Sequence, residues 1–279
     1  MSCARLALVL ALATLAAAPA AAQNPWRQYP SIERGWSATT EWDPEHADPG
    51  EFVVGRLMFP QSRTRYVLGG GGGNWLRGGT AWTVDYPEGD RTFARILSRL
   101  TKIDVRVVEQ PVNLDDDIDA YYWPFLISGL VGAWDLTDAQ AQKLREYLLR
   151  GGFLLCDSFY GDEEWAGFID GMSRVFPDRA IVELPSDHPI FHAVYDLSER
   201  PRVPTLQHLP YGGYRNGSSG ATPHWRAILD DDGRVMVMIT YNNDIADGWQ
   251  WADEPRYPHE AAHLALALGV NFAIYAMTH

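Results

Sequence analysis

Apolar and polar positions change period several times along the chain, and each change marks an element. Glu51–Phe59 (EFVVGRLMF) is the first run apolar enough to be a strand. Asp90–Thr101 (DRTFARILSRLT) is amphipathic at helical spacing behind an Asp cap. Ile103–Val108 and Trp123–Ser128 (WPFLIS) read as strands, the second closed by Gly129. Asp135–Leu136–Thr137 opens a helix: Gln140 follows Thr137 at capping-box spacing, and Leu144, Tyr147 and Leu148 supply the apolar stripe. Gly151 and Gly152 end it, and Phe153–Cys156 follows as an all-apolar strand that delivers Asp157. Glu163–Val175 is predicted helical, Ala180–Leu184 a short strand and His188–Val194 a helical turn after Pro189. Arg226–Leu229 and Val235–Thr240 form a hairpin around Asp230–Gly233, and Pro258 opens a last helix running to about Ala276.

Strands without polar alternation are covered on both faces, as in parallel sheets. Their alternation with helical segments makes the fold class α/β, a mostly parallel sheet with helices on both faces. In such sheets ligands sit beyond the carboxyl ends of the strands. Asp157, with Asp162 and Trp165 in the following loop, lies past one strand; Asp244, Asp247 and Trp249 lie past another. These six are the candidate ligand-binding residues. Carboxylates beside aromatic rings suit a sugar or polyol, and Asp157, Asp162 and Asp244 equally offer hard oxygens to calcium. The competing structural role of the same residues is to cap helices, fix turns and fill the core. Asp157, Asp244 and His188 are the catalytic candidates, His188 as an acid or base reaching the same edge or, alternatively, as a cap on its own turn.

Composition narrows the partners. Residues 1–22 combine Arg5, the apolar run Leu6–Leu15 and Ala20–Ala22, the pattern of a signal peptide cleaved near Ala22. The mature chain is therefore expected in the periplasm or outside the cell, without stable membrane insertion. The net charge is −13, and losing the leader removes one arginine and no acid. That balance disfavours nucleic acid and anionic lipid, leaving a small polar ligand or a cell-envelope protein. Residues 23–51 carry Trp26, Trp36 and Trp42 without a sustained period and read as an extended arm before one α/β domain at 52–279. Gly69–Gly73 lacks the phosphate-binding glycine patterns and reads as a lid or close-packing loop. His259–Glu260–Ala261–Ala262–His263 places two histidines one turn apart, able to hold zinc with Glu260 as a base.

The ordered segments PFLISG, LTDAQAQKLREYLLRGGFLLCDSF, VFPDR, DHPIFH, YNND and LGVNFAIYAMTH resemble the DUF4159 family over about residues 52–279. That family is grouped with class I glutamine amidotransferase-like domains, so the resemblance implies a flavodoxin-like three-layer sandwich without an established activity. Amidotransferases mount a nucleophilic cysteine on a G-x-C-x-G elbow. Here the elbow reads Leu154–Leu–Cys–Asp–Ser158, without its glycines, and no His-x-Glu pair follows. An acidic neighbour raises a thiol pKa, so Cys156 is expected to be a buried core residue. The expected protein is a non-catalytic ligand-binding or accessory module of the cell envelope. The alternative is a hydrolase, acting on carbohydrate through Asp157 and Asp244 or through zinc at His259 and His263.

Overall fold

The computed structural model describes residues 26–33, 50–62, 64, 73–116 and 119–279. Among them, seven strands line up in one sheet: β1 (Gly55–Met58), β2 (Gln110–Asn113), β3 (Phe125–Gly129), β4 (Phe153–Asp157), β5 (Ile181–Glu183), β6 (Arg226–Leu229) and β7 (Val235–Ile239). Their spatial order is β2-β1-β3-β4-β7-β6-β5. Pairing is parallel from β2 to β7 and antiparallel through β6 and β5. The helices are α1 (Glu88–Leu100), α2 (Asp138–Leu149), α3 (Gly161–Val175), α4 (Ile245–Gln250) and α5 (His259–Thr278). The fold is a flavodoxin-like three-layer sandwich, its parallel strands in the doubly wound order.

Alternation along the central strands divides the core into two layers. Leu126, Leu154, Cys156 and Val237 join Leu144, Leu148, Phe168 and Met172 of α2 and α3. Phe125, Ile127, Phe153, Leu155 and Met238 join Phe93, Leu97, Leu268 and Phe272 of α1 and α5. With α/β packing on both faces, neither side of β3 or β4 carries a solvated residue, which is why these strands read as continuous apolar runs. Among the described helices α5 alone is long and apolar enough to cross a bilayer. Packing accounts for that length, since Ala262, Ala265, Leu268, Phe272 and Tyr275 are all buried.

Local structure follows the pattern at α2, where Thr137 Oγ1 accepts from Gln140 N (3.2 Å) and the Gln140 side chain accepts from Thr137 N (3.0 Å). It departs from the pattern beside β1. Ile103–Val108 contributes only a bridge between Val105 and Phe52, and the strand forms later, at Gln110–Asn113. The reason is a pair of buried arginines. The Arg106 guanidinium turns inward to Val108 O (2.8 Å) and Gln110 Oε1 (3.0 Å), while Glu109 turns to Arg91 (2.7 Å). The ladder slips between Val105 and Gln110 to accommodate them. Of the arm, Tyr29 and Ile32 pack against the α2/α3-side core, while Trp36 and Trp42, like the leader and Gly69–Gly72, lie outside the described residues.

Candidate functional site

The parallel strands bring the ends of β1, β3, β4 and β7 to one edge. On the α1/α4 side of that edge lies a layer of buried charge: Arg56 from β1, Asp85 and Asp90 around the start of α1, Asp157 at the end of β4, and Asp244 and Asp247 at the start of α4. Four of the backbone turns that build the edge use non-glycine residues with positive φ: Asp85 (62°), Leu130 (50°), Ser158 (61°) and Asn242 (63°). Such conformations persist only where surrounding structure enforces them, and they concentrate at functional sites.

Each carboxylate has a defined setting. Asp90 takes two hydrogen bonds from Arg56 (3.0 and 2.6 Å), a fully buried bidentate pair. Asp157 accepts from Thr240 Oγ1 (2.5 Å) and from Ala246 N (2.9 Å), tying β4 to β7 and α4. Asp244 caps α4 by accepting from Asp247 N (3.3 Å), and its other oxygen accepts from Thr205 Oγ1 (2.9 Å). Asp247 accepts from Leu206 N (2.6 Å) and Trp251 Nε1 (2.8 Å). Asp85 N donates to the exposed Glu33 carboxylate (3.0 Å), but Asp85 Oδ2, fully enclosed, receives no hydrogen bond.

Burial sets the electrostatics. It raises Asp85 and Asp244 well above the ordinary carboxylate range, and mutual repulsion adds to it: Asp85 faces Asp244 and Asp247, and Asp244 faces Asp247 and Asp157. Asp247 is pushed up to about 7, first by burial and against the hydrogen bond from Leu206. Asp157 is raised by burial and held back by its donors Thr240 and Ala246. Cations are already committed, Arg56 to Asp90 and Arg215 to Glu164 (2.9 Å).

The structure therefore brings together three of the residues singled out in the sequence, Asp157, Asp244 and Asp247. Asp162 is exposed on the first turn of α3, and Trp165 beside it is half-buried against Tyr241 (4.8 Å between centroids) and under Arg226 (4.6 Å). Trp249 offers no face to a ligand: its ring stacks on Phe93 (4.2 Å) and its Nε1 donates to Ala265 O (2.9 Å). His188 sits at the opposite edge, against Tyr275, whose hydroxyl accepts from Val235 N at the start of β7; its Nδ1 accepts from Ile190 N (3.3 Å) as a turn cap, and burial lowers its pKa. His259 and His263 are exposed on the first turns of α5, outside the one metal-competent cluster found among the described residues, Asp85, Asp244 and Asp247. Asp85, Glu33 and Arg56 went unread in the sequence. Asp85 lies in a tract without a period, and the sequence pattern puts the α1 cap at Asp90, whereas α1 starts at Glu88 behind Pro87.

A second feature of the same edge is open to solvent. A cavity of about 380 Å³ lies over the ends of β1 and β2, lined by Trp26 and Tyr29 of the arm with Met58, Gln110, Asn113, Asp116 and Asp119. Arg27 lies over the Tyr29 ring (5.0 Å), and Asp119 accepts from Trp123 Nε1 (3.2 Å), which fixes its carboxylate in the wall.

Fold and edge together define a doubly wound α/β domain with a buried carboxylate layer and an aromatic-walled cavity above the strand ends. The profile of the DUF4159 family, a domain of unknown function, matches residues 73–277, and the chain belongs to that family. No curated protein matches the chain.

Proposed function

We propose that the chain is an exported binding module that holds a small, hydroxyl-rich ligand of the sugar or polyol class at the carboxyl edge of its sheet. The cavity between the arm and β1–β2 carries the reading. Its volume is in the range of small-molecule sites, and it combines ring faces for sugar C–H groups with carboxylate and amide groups for hydroxyls. It lies at β1 and the edge strand β2, next to the β1–β3 switch point where doubly wound folds take ligands. The state of Cys156 supports binding over thiol chemistry. Burial, and then the neighbouring Asp157, push the thiol well up, away from the thiolate a nucleophile needs. An amidotransferase-like origin would thus have left the scaffold without its nucleophile. The leader pattern and the acidic net charge support a role in the cell envelope.

Thermal-shift and Trp-fluorescence titrations with glucose, N-acetylglucosamine, chitobiose and mannitol test the site. Binding of at least one, lost in Trp26→Ala and weakened about tenfold or more in Asp116→Asn, is the expected result. No response to any of the four, or an undiminished response in both variants, overturns it. Export is checked by the mass of the protein recovered from a periplasmic extract, expected to begin near Gln23.

A further inference from the structure

We infer that Asp85, Asp244 and Asp247 form a binding site for one hard divalent cation of the magnesium, calcium or manganese class. The site is separate from the cavity at β1 and β2 and does not depend on the reading given for it. One carboxylate oxygen from each of the three residues lies within 4.8 Å of the others, and all three side chains are buried. Oxygens on opposite sides of a calcium ion at about 2.4 Å stand about 4.8 Å apart, so a single ion fits among them. A donor set made only of oxygen selects hard cations over zinc or copper.

A second observation points to a ligand there. Asp85 is a member of the cluster, its Oδ2 is fully enclosed and receives no hydrogen bond, and Arg56 Nη1, also fully buried, donates none. Both border the space left by Gly129. A Cβ built on that glycine would lie 3.5 Å from Arg56 Nη1 and 4.0 Å from Asp85 Oδ2. A buried carboxylate oxygen without a donor has lost its hydration with nothing in exchange. A coordinated cation supplies what is missing, and Arg56 Nη1 then faces a water or anion completing the ion's shell.

The surroundings favour the same conclusion. Arg56 is bonded to Asp90 and Arg215 to Glu164, so the charge they present to Asp85 and Asp244 is shared and offsets the cluster only in part. The backbone at Asp85 adopts φ 62° and is held there by Gly89 N donating to Asp85 O (2.8 Å), a conformation that turns the carboxylate in beneath α4. Glu33, exposed and bonded to Asp85 N, stands on the solvent side and adds negative charge near Asp85 and Asp247. The competing arrangement is a proton shared between Asp85 and Asp247, or a water enclosed beside Gly129. Neither responds to an added metal ion.

The test uses the mature chain stripped with EDTA and exposed separately to Mg²⁺, Ca²⁺ and Mn²⁺ at about 1 mM near pH 8, with thermal unfolding and bound metal read in parallel. At least one ion is expected to bind once per chain and raise Tm by about 5–10 °C, the shift produced when an ion is about a hundredfold above its Kd. Asp85→Asn and Asp247→Asn keep the shape but remove a negative charge. Each is expected to lose the bound ion and its Tm shift, Asp85→Asn while unfolding no lower than the stripped wild type, and the exposed Asp232→Asn retains both. Failure of all three ions to bind overturns the site, as does a bound ion and full shift surviving in both cluster variants.

Discussion

At the scale of single residues, position after a strand decides more than residue type. Asp157 and Cys156 are neighbours on β4, yet Asp157 faces the charged layer while Cys156 faces the apolar core with α2 and α3. Burial first, and Asp157 second, raise the Cys156 thiol, so almost none of it is thiolate at neutral pH. Cys156 is therefore expected to remain unmodified by a thiol reagent in the native protein and to react fully once denaturant unfolds the chain. Fast native-state labelling would mean that the β4 end opens on its own. The sequence made Asp157, Asp244 and Asp247 legible because each follows a strand pattern by a few positions. Asp85 and Arg56 were not legible in that way. Arg56 interrupts an apolar strand and its partner Asp90 stands 34 residues on, a pairing that only the β1–α1 packing creates. A buried pair of this kind adds little net stability but is costly to break from one side, so its place here is to keep α1 registered over the charged layer.

At the scale of elements, local chemistry sets the start of α2 but not that of α1, where the Asp cap expected at Asp90 gives way to a start at Glu88 behind Pro87 and Asp90 turns inward to Arg56. The α2 start is set by two reciprocal hydrogen bonds between Thr137 and Gln140, both within four residues of sequence. Thr137→Ala removes one of them and is expected to lower unfolding free energy by about 1 kcal/mol in a urea titration, with the m-value unchanged. A loss below a few tenths would show that packing of Leu144 and Leu148 alone sets the start. Elements that depend on distant partners escaped the pattern. The strand expected at Ile103–Val108 gives way to Gln110–Asn113 because Arg106 and Glu109 bury their charged ends between β2 and its neighbours. The short α4 carries only six residues, too few for a helical period to declare itself, although Asp244 is placed as its cap. That missed turn explains Trp249: a loop would have left its ring free for a ligand, whereas the helix seals it against Phe93 and α5.

At the scale of the whole molecule, the arm and the α/β domain share one core and one edge. Tyr29 meets the Trp82 ring edge-on (5.3 Å), Ser31 Oγ donates to Thr83 O (2.8 Å), Ile32 N donates to Thr83 Oγ1 (3.1 Å) and Glu33 accepts from Asp85 N. These contacts fall on the tract between β1 and α1, which holds the positive-φ Asp85, so the arm braces the part of the edge that sequence periodicity leaves undefined. A chain beginning at Gly50 loses the partly buried Trp26, Tyr29, Pro30 and Ile32 and these hydrogen bonds. It is expected to unfold at lower urea with a loss of about 3 kcal/mol or more. Removing Trp26 and Tyr29 also takes away one wall of the cavity, so the shortened chain should give no saccharide-induced Tm shift even where it remains folded. The opposite result separates the two roles open to a Trp-rich arm. Unchanged stability and unchanged saccharide response would make it a tether for an envelope partner; loss of both makes it the wall of the site and a buttress of the fold, and the hydrogen bonds to Thr83 and Asp85 favour the second.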